Sequence, residues 1–153
     1  MGCRVVGIDI NNEILNQCRA QGADAVFNSM TNKDYVTELL KVTGGGVKAA
    51  AVFSNADAAY AGAPQIIKLG GVLMVVGLPL NPLRVSSMDL ALGKYKIKSE
   101  STSIPQRMRK AIEFTAKHRI KPEVDIRTGL DAVQSMVDTM KSGKNIKRMA
   151  VVF

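Results

Sequence analysis

Residues 3–27 read CRVVGIDINNEILNQCRAQGADAVF, and the change of texture along them sets the fold. The run CRVVGIDI is short, β-branched and apolar, as in a strand buried on both faces of a parallel sheet. Asp9 sits near its end, and Asn11 or Asn12 can cap the next helix. Residues 12–21 place Ile14, Leu15 and Cys18 on one helical face. Gly22 stops that helix, and Ala25, Val26 and Phe27 make a minimal second strand.

The alternation then repeats. A helix is predicted over 32–42, with Tyr35, Val36, Leu39 and Leu40 apolar, followed by a helix-to-strand turn through Gly44, Gly45 and Gly46 and a strand over 47–53. A helix over 56–68, a Gly70-Gly71 turn, a strand over 72–76 closed by Gly77, Leu78 and Pro79, and a strand over 95–98 come next. Strands separated by helices of this length mean βαβ units and a parallel sheet with helices on both faces. The tail reads as a helix over 105–118 with Met108, Ala111, Ile112 and Thr115 inward, a strand over 123–127, a helix over 130–141 and a last strand over 148–153. The expected organisation is one compact unit, residues 1–104 with an α/β extension, 105–153, packed on it.

The 153 residues are 46% hydrophobic, which excludes a disordered chain, and at this length a domain buries roughly 70% of its unfolded surface without metal or disulfide staples. No apolar run reaches the roughly 18 residues of a membrane span, and the start lacks the greasy segment of a signal peptide, so a cytoplasmic protein is expected. Cys3, Cys18 and His118 are the whole stock of soft metal ligands, so no zinc site is expected, and both thiols read as buried or half-buried. The net charge of +8 lies entirely in the last third: residues 1–90 carry seven basic and seven acidic side chains, residues 91–153 fourteen and six. The basic residues come in short clusters without aromatic interleaving, which reads as a solvated face and not as a nucleic-acid surface.

Four segments in this order carry a resemblance: MGCRVVGIDINNEILNQCRAQGADAVFNS, TGGGVKAAAVFSNADAAYAGAPQIIKLGGVLMVVGLP, KIKSESTSIPQRMRKAIEFTAKHRIKPEV and SGKNIKRMAVVF. They resemble the cofactor-binding half of the zinc-type alcohol dehydrogenases of the medium-chain dehydrogenase/reductase superfamily, its fungal members most closely. The resemblance implies an oxidoreductase ancestry and a Rossmann-like, doubly wound α/β sheet. Members of that family place a catalytic, zinc-bearing domain first, then a strand, a Gly-x-Gly-x-x-Gly turn and a helix; Met1 falls where that helix ends. The expectation is a truncated Rossmann-like domain without the glycine-rich seat for the pyrophosphate.

Removing strand 1 from the order 3-2-1-4-5-6 leaves its neighbours about 9–10 Å apart. Unpaired buried backbone is costly, so the gap is expected to close into a five-stranded sheet of flavodoxin-like order, 2-1-3-4-5. The alternative is a homodimer or a partner chain that covers the place of the missing strand and helix. The resemblance also implies pairing of subunits through the edge strand at 95–98, where Lys94, Lys96 and Lys98 act as protection.

A ligand crevice is expected at the switch point of the closed sheet. By the resemblance Asp9 holds the adenosine ribose of NAD; Ser54, Asn55, Gly77, Leu78 and Pro79 line the crevice near the nicotinamide, with Asn11 and Glu100 beside them. The polar stretch 99–103 has serines at 99 and 103 where that family has glycines. No catalytic residue is identified, and His118 reads as a charged helix C-terminus. NAD is weakened as a cofactor by the loss of the glycine-rich turn. Two readings result: an alcohol-dehydrogenase-like protein unable to carry out zinc-dependent hydride transfer alone, or a repurposed non-redox cyclase, isomerase, lyase or binding module for a small organic molecule in a secondary-metabolite pathway.

Overall fold

The computed structural model describes residues 2–100, 103–143 and 147–153. The chain divides into two compact units, Met1–Ser103 and Ile104–Phe153. The first runs β1 (Val6–Asp9), α1 (Asn12–Ala20), β2 (Ala25–Asn28), α2 (Tyr35–Thr43), β3 (Val47–Val52), α3 (Asp57–Ile66), β4 (Ile67–Val75), α4 (Ser87–Ala91) and β5 (Tyr95–Ser99). The second holds α5 (Pro105–Lys117), β6 (Val124–Thr128), α6 (Ala132–Lys141) and β7 (Arg148–Val152). All strand pairs among the described residues are parallel, as the alternation of strand and helix predicts.

The sheet of the first unit is not closed. Among the described residues β1 pairs with β2 alone, and β3, β4 and β5 form a separate ladder, so the expected β1–β3 junction of the 2-1-3-4-5 order does not form there. The reason lies beneath the strands. Phe27, Leu39 and Ile66 are buried together, and Val6, Ala25, Val47 and Ala50 pack against them. That cluster takes residues from β1, β2 and β3 and from α2 and α3, so both ladders are seated on one helical layer. Sliding β3 one strand spacing towards β1 would tear it apart. A second cluster, Val52, Tyr60, Ala63, Leu73 and Tyr95, fixes α3 to the larger ladder.

Local chemistry sets the element ends. Thr43 Oγ1 donates to Leu39 O at 2.6 Å and accepts from the Gly46 N–H at 3.0 Å, which closes α2 into β3. Gly46 lies at φ 118°, and a Cβ there would stand 2.7 Å from Ile66 O, so this turn admits glycine alone. The Gly44–Gly46 run is thus the helix-to-strand turn the sequence indicates. β4 starts directly at Ile67 and passes through Gly70 and Gly71, where a separate turn was expected. The unforeseen α4 forms because the Ser86 hydroxyl accepts the Asp89 N–H at 3.1 Å.

Two expectations about burial fail. Cys3 is exposed because the strand begins only at Val6, while Cys18 is half-buried. In the second unit three members of the expected α5 stripe, Met108, Ala111 and Ile112, are exposed, Met108 and Ile112 at 59% and 60%, while Thr115 is half-buried. β6 also inverts the usual pattern: Val124 and Ile126 are exposed, whereas Asp125 and Arg127 are half-buried. Arg127 reaches Asp125 Oδ2 at 3.0 Å and Ser135 Oγ on α6 at 2.9 Å.

Leu39 is fully enclosed, at 0% exposure. Leu39→Ala should lower the unfolding free energy by about 2–5 kcal/mol in a urea titration. A loss below about 1 kcal/mol would show that the cluster does not carry the junction.

Candidate functional site

The carboxyl ends of the strands hold the residues singled out from the sequence, but in two groups. At the end of β1, Asp9 is half-buried, and its Oδ1 accepts the Asn11 N–H at 2.8 Å. Asn11 in turn caps α1, its Oδ1 accepting the Glu13 N–H at 2.8 Å. These bonds arise from the short chain between a strand and a helix, where Asp and Asn side chains satisfy orphan backbone donors. The second carboxylate oxygen of Asp9 has no hydrogen bond to any described residue.

The second group stands at the ends of β3 and β4. Ser54 Oγ accepts the Ala56 N–H at 3.0 Å ahead of α3, and Asn55 is exposed in the same turn. The Gly77 N–H donates to Val52 O at 2.8 Å. A Cβ on Gly77 would collide with Ser54 O and stand 2.7 Å from Phe53 O, so the two strand ends meet this closely only with glycine there. Leu78 is 68% exposed and Pro79 half-buried beside it. Glu100 extends the ladder on the other side, its N–H donating to Val75 O at 3.1 Å.

The structure therefore brings Ser54, Asn55, Gly77, Leu78 and Pro79 together, with Glu100 one strand away. Asp9 and Asn11 stand on the other ladder, and no hydrogen bond joins either of them to Ser54 or Gly77. The β1–β3 pairing on which the expected crevice was built does not occur among the described residues. Of the polar stretch 99–103, Ser101 and Thr102 lie outside the described residues.

Three structural residues at this edge escaped the sequence reading. Tyr60, 4% exposed, donates its hydroxyl to Gly77 O at 2.5 Å. Asn81 Nδ2 donates to Asp57 Oδ2 at 2.6 Å, tying the chain after β4 to the first turn of α3. Asn28 Nδ2 donates to Ile10 O at 3.0 Å and Asn12 Oδ1 at 2.7 Å, and its Oδ1 accepts from the Met30 and Thr31 N–H groups. The available signal was an aromatic hydroxyl on the inner face of a helix and an Asn ending a buried strand.

The residues fit one part of a dinucleotide and not another. A carboxylate with an open oxygen at the end of the first strand suits ribose hydroxyls. Pyrophosphate needs bare amides at a glycine-lined strand-to-helix turn; the turns before α1, α2 and α3 contain no glycine, and Asn11 already fills the first. No group of three or more His, Cys, Asp or Glu that could hold a metal ion converges among the described residues. His118 ends α5, its ring 4.3 Å from that of Phe114. A groove lined by Ile67, Leu69, Asp89, Lys94 and Tyr95 opens at the opposite, amino end of β4 and β5.

Tyr60→Phe removes the donor to Gly77 O and should lower stability by about 1–2 kcal/mol, read by urea unfolding. It should also broaden the amide signals of residues 77–79 in NMR spectra; unchanged spectra would mean that the hydroxyl does not fix this strand end.

Known proteins place this arrangement. Residues 1–117 match the family described as zinc-binding dehydrogenase. An alcohol dehydrogenase from Geobacillus stearothermophilus is 30% identical over 144 residues, which cover 94% of this chain and 42% of that protein. The alcohol dehydrogenase of Aeropyrum pernix superposes with a TM-score of 0.87 at 21% identity, over 99% of this chain and 43% of that one. The benzyl alcohol dehydrogenase of Acinetobacter calcoaceticus superposes with a TM-score of 0.81 at 20% identity, over 97% and 43%. The chain thus spans less than half the length of these relatives, and the two superpositions establish a shared fold. From its family match and its fold, the chain belongs to the zinc-binding dehydrogenases and corresponds to the cofactor-binding half of a zinc-type alcohol dehydrogenase.

Proposed function

We propose that this chain is an alcohol-dehydrogenase-like nucleotide domain that holds the adenosine ribose end of NAD at Asp9 and does not by itself carry out zinc-dependent hydride transfer. The observation that carries the reading is the open carboxylate oxygen of Asp9 at the end of β1, in a chain of this family. Its other oxygen is fixed by the Asn11 N–H, so the carboxylate is oriented before a ligand arrives. Two hydroxyls donating to an ionised carboxylate form charge-assisted hydrogen bonds. The turns before α1, α2 and α3 give the pyrophosphate no glycine-lined seat, so this reading rests binding on the adenosine side. Hydride transfer further requires a polarising metal and a proton relay, and the one His and two Cys of the chain supply neither.

AMP and NAD should therefore shift the amide signals of residues 9–12 with similar, millimolar-range affinity. Asp9→Asn should weaken both by about tenfold, the size expected for hydrogen bonds to a charged group. No NADH should form from alcohols with added zinc. Tight binding of NAD relative to AMP would show a pyrophosphate seat elsewhere, and shifts confined to residues 54–55 and 77–79 on adding small apolar molecules would favour the binding-module reading.

A further inference from the structure

Asn28 ends β2 beside Asp9, the last residue of β1, with which it is paired in register. Its side chain uses its whole hydrogen-bonding capacity. Oδ1 accepts the Met30 and Thr31 N–H groups at 2.9 and 3.0 Å, while Nδ2 donates to Ile10 O at 3.0 Å and to Asn12 Oδ1 at 2.7 Å. An amide has two donor hydrogens and two acceptor lone pairs, so these bonds leave none over. The two backbone donors can be met only by the oxygen, which commits the nitrogen to the chain leaving β1.

Ile10 O and the Asn11 N–H belong to one peptide group, which is trans and planar. Asn28 holds its carbonyl, and its N–H, on the opposite edge of the same plane, donates to Asp9 Oδ1 at 2.8 Å. The plane cannot turn without loosening one bond or the other. The direction of that N–H, and with it the carboxylate it grips, is therefore set from β2.

We infer that Asn28 is a positioning residue for ribose recognition: through the Ile10–Asn11 peptide it holds the Asp9 carboxylate with one oxygen engaged and the other open to the hydroxyls. The inference rests on the reading of Asp9 as the ribose carboxylate. Asn28 acts through the backbone and not by contact with the ligand. Its contribution is preorganisation: a carboxylate freed from this clamp still accepts hydroxyls but must be ordered when they arrive, and that cost falls on the hydroxyl contacts.

The test compares AMP with 2′-deoxy-AMP, each titrated into the full chain and followed by amide NMR shifts. The two ligands carry the same base and phosphate, so their affinity ratio reads the ribose hydroxyl, and a general loosening of the fold leaves it unmoved. AMP should bind the unaltered chain about tenfold more tightly, the size of one hydrogen bond to a charged group. Asn28→Ser keeps a hydroxyl for the Met30 N–H but is too short to reach Ile10 O, and should cut the ratio to about threefold. On an Asp9→Asn background the same substitution should change the ratio no further. By reciprocity, AMP should slow exchange of the Asn28 side-chain amide protons about threefold in the unaltered chain, a readout that needs no variant to fold. A ratio that depends on Asp9 but survives Asn28→Ser overturns the positioning role alone. So does AMP binding that slows the Asn11 amide and leaves the Asn28 side-chain protons unchanged. No preference for AMP in the unaltered chain, or a preference that persists in Asp9→Asn, removes the ribose reading of Asp9 and the positioning role with it.

Discussion

Leu39 and its neighbours hold together two ladders that are not paired with each other. Sheets usually draw their unity from pairing, and helices cover what pairing has built. Here the order is reversed across one junction: Phe27, Leu39 and Ile66 bring β1 and β2 to the same floor as β3, and the strands keep their places because the side chains beneath them do. Burial of apolar surface is non-directional, so it can seat strands side by side without closing the ladder between them. The unpaired backbone is tolerated because this junction is open to solvent, where water satisfies the groups that a dry interior would leave unsatisfied.

Most of the first unit was legible in the sequence because each element carries its own signal. Cys3 to Ile10 has the apolar run of a parallel strand, which forms over Val6–Asp9 within it, Leu15 and Leu39 the spacing of helix faces, and Gly44 to Gly46 the backbone freedom of a tight return. The ladder order was not legible at its junction. Unpaired backbone forces closure only where it is buried, and the contacts that seat β1 and β3 on one cluster come from Ile66 and Ala50, which lie far from β1 in sequence. The inverted exposure of β6 escaped for a related reason: Val124 and Ile126 alternate correctly with Asp125 and Arg127, and alternation alone does not say which face is covered.

The candidate site shows the same division. Asp9, Ser54 and Gly77 were singled out because parallel α/β folds place chemistry at the carboxyl ends of strands, and each stands at such an end. Their grouping depended on the sheet, and the open junction separates Asp9 from the Ser54–Gly77 edge. Tyr60 and Asn28 were missed because they act on backbone carbonyls and amides, partners that leave no mark in a residue pattern. Membership of the zinc-binding dehydrogenases accounts for the alternation of parallel strands and helices on which these residues sit.

The uneven charge acquires a role in solution behaviour. Ile104, Met108, Ile112, Ile126 and Leu130 are each more than half exposed in the same third of the chain that carries the excess of Lys and Arg. Like-charged surfaces keep such apolar patches on different molecules apart at low ionic strength. The repulsion reaches about 8 Å in physiological salt and about 3 Å in molar salt, less than the size of a side chain. Added salt therefore weakens the repulsion that this excess charge supplies between the exposed apolar side chains.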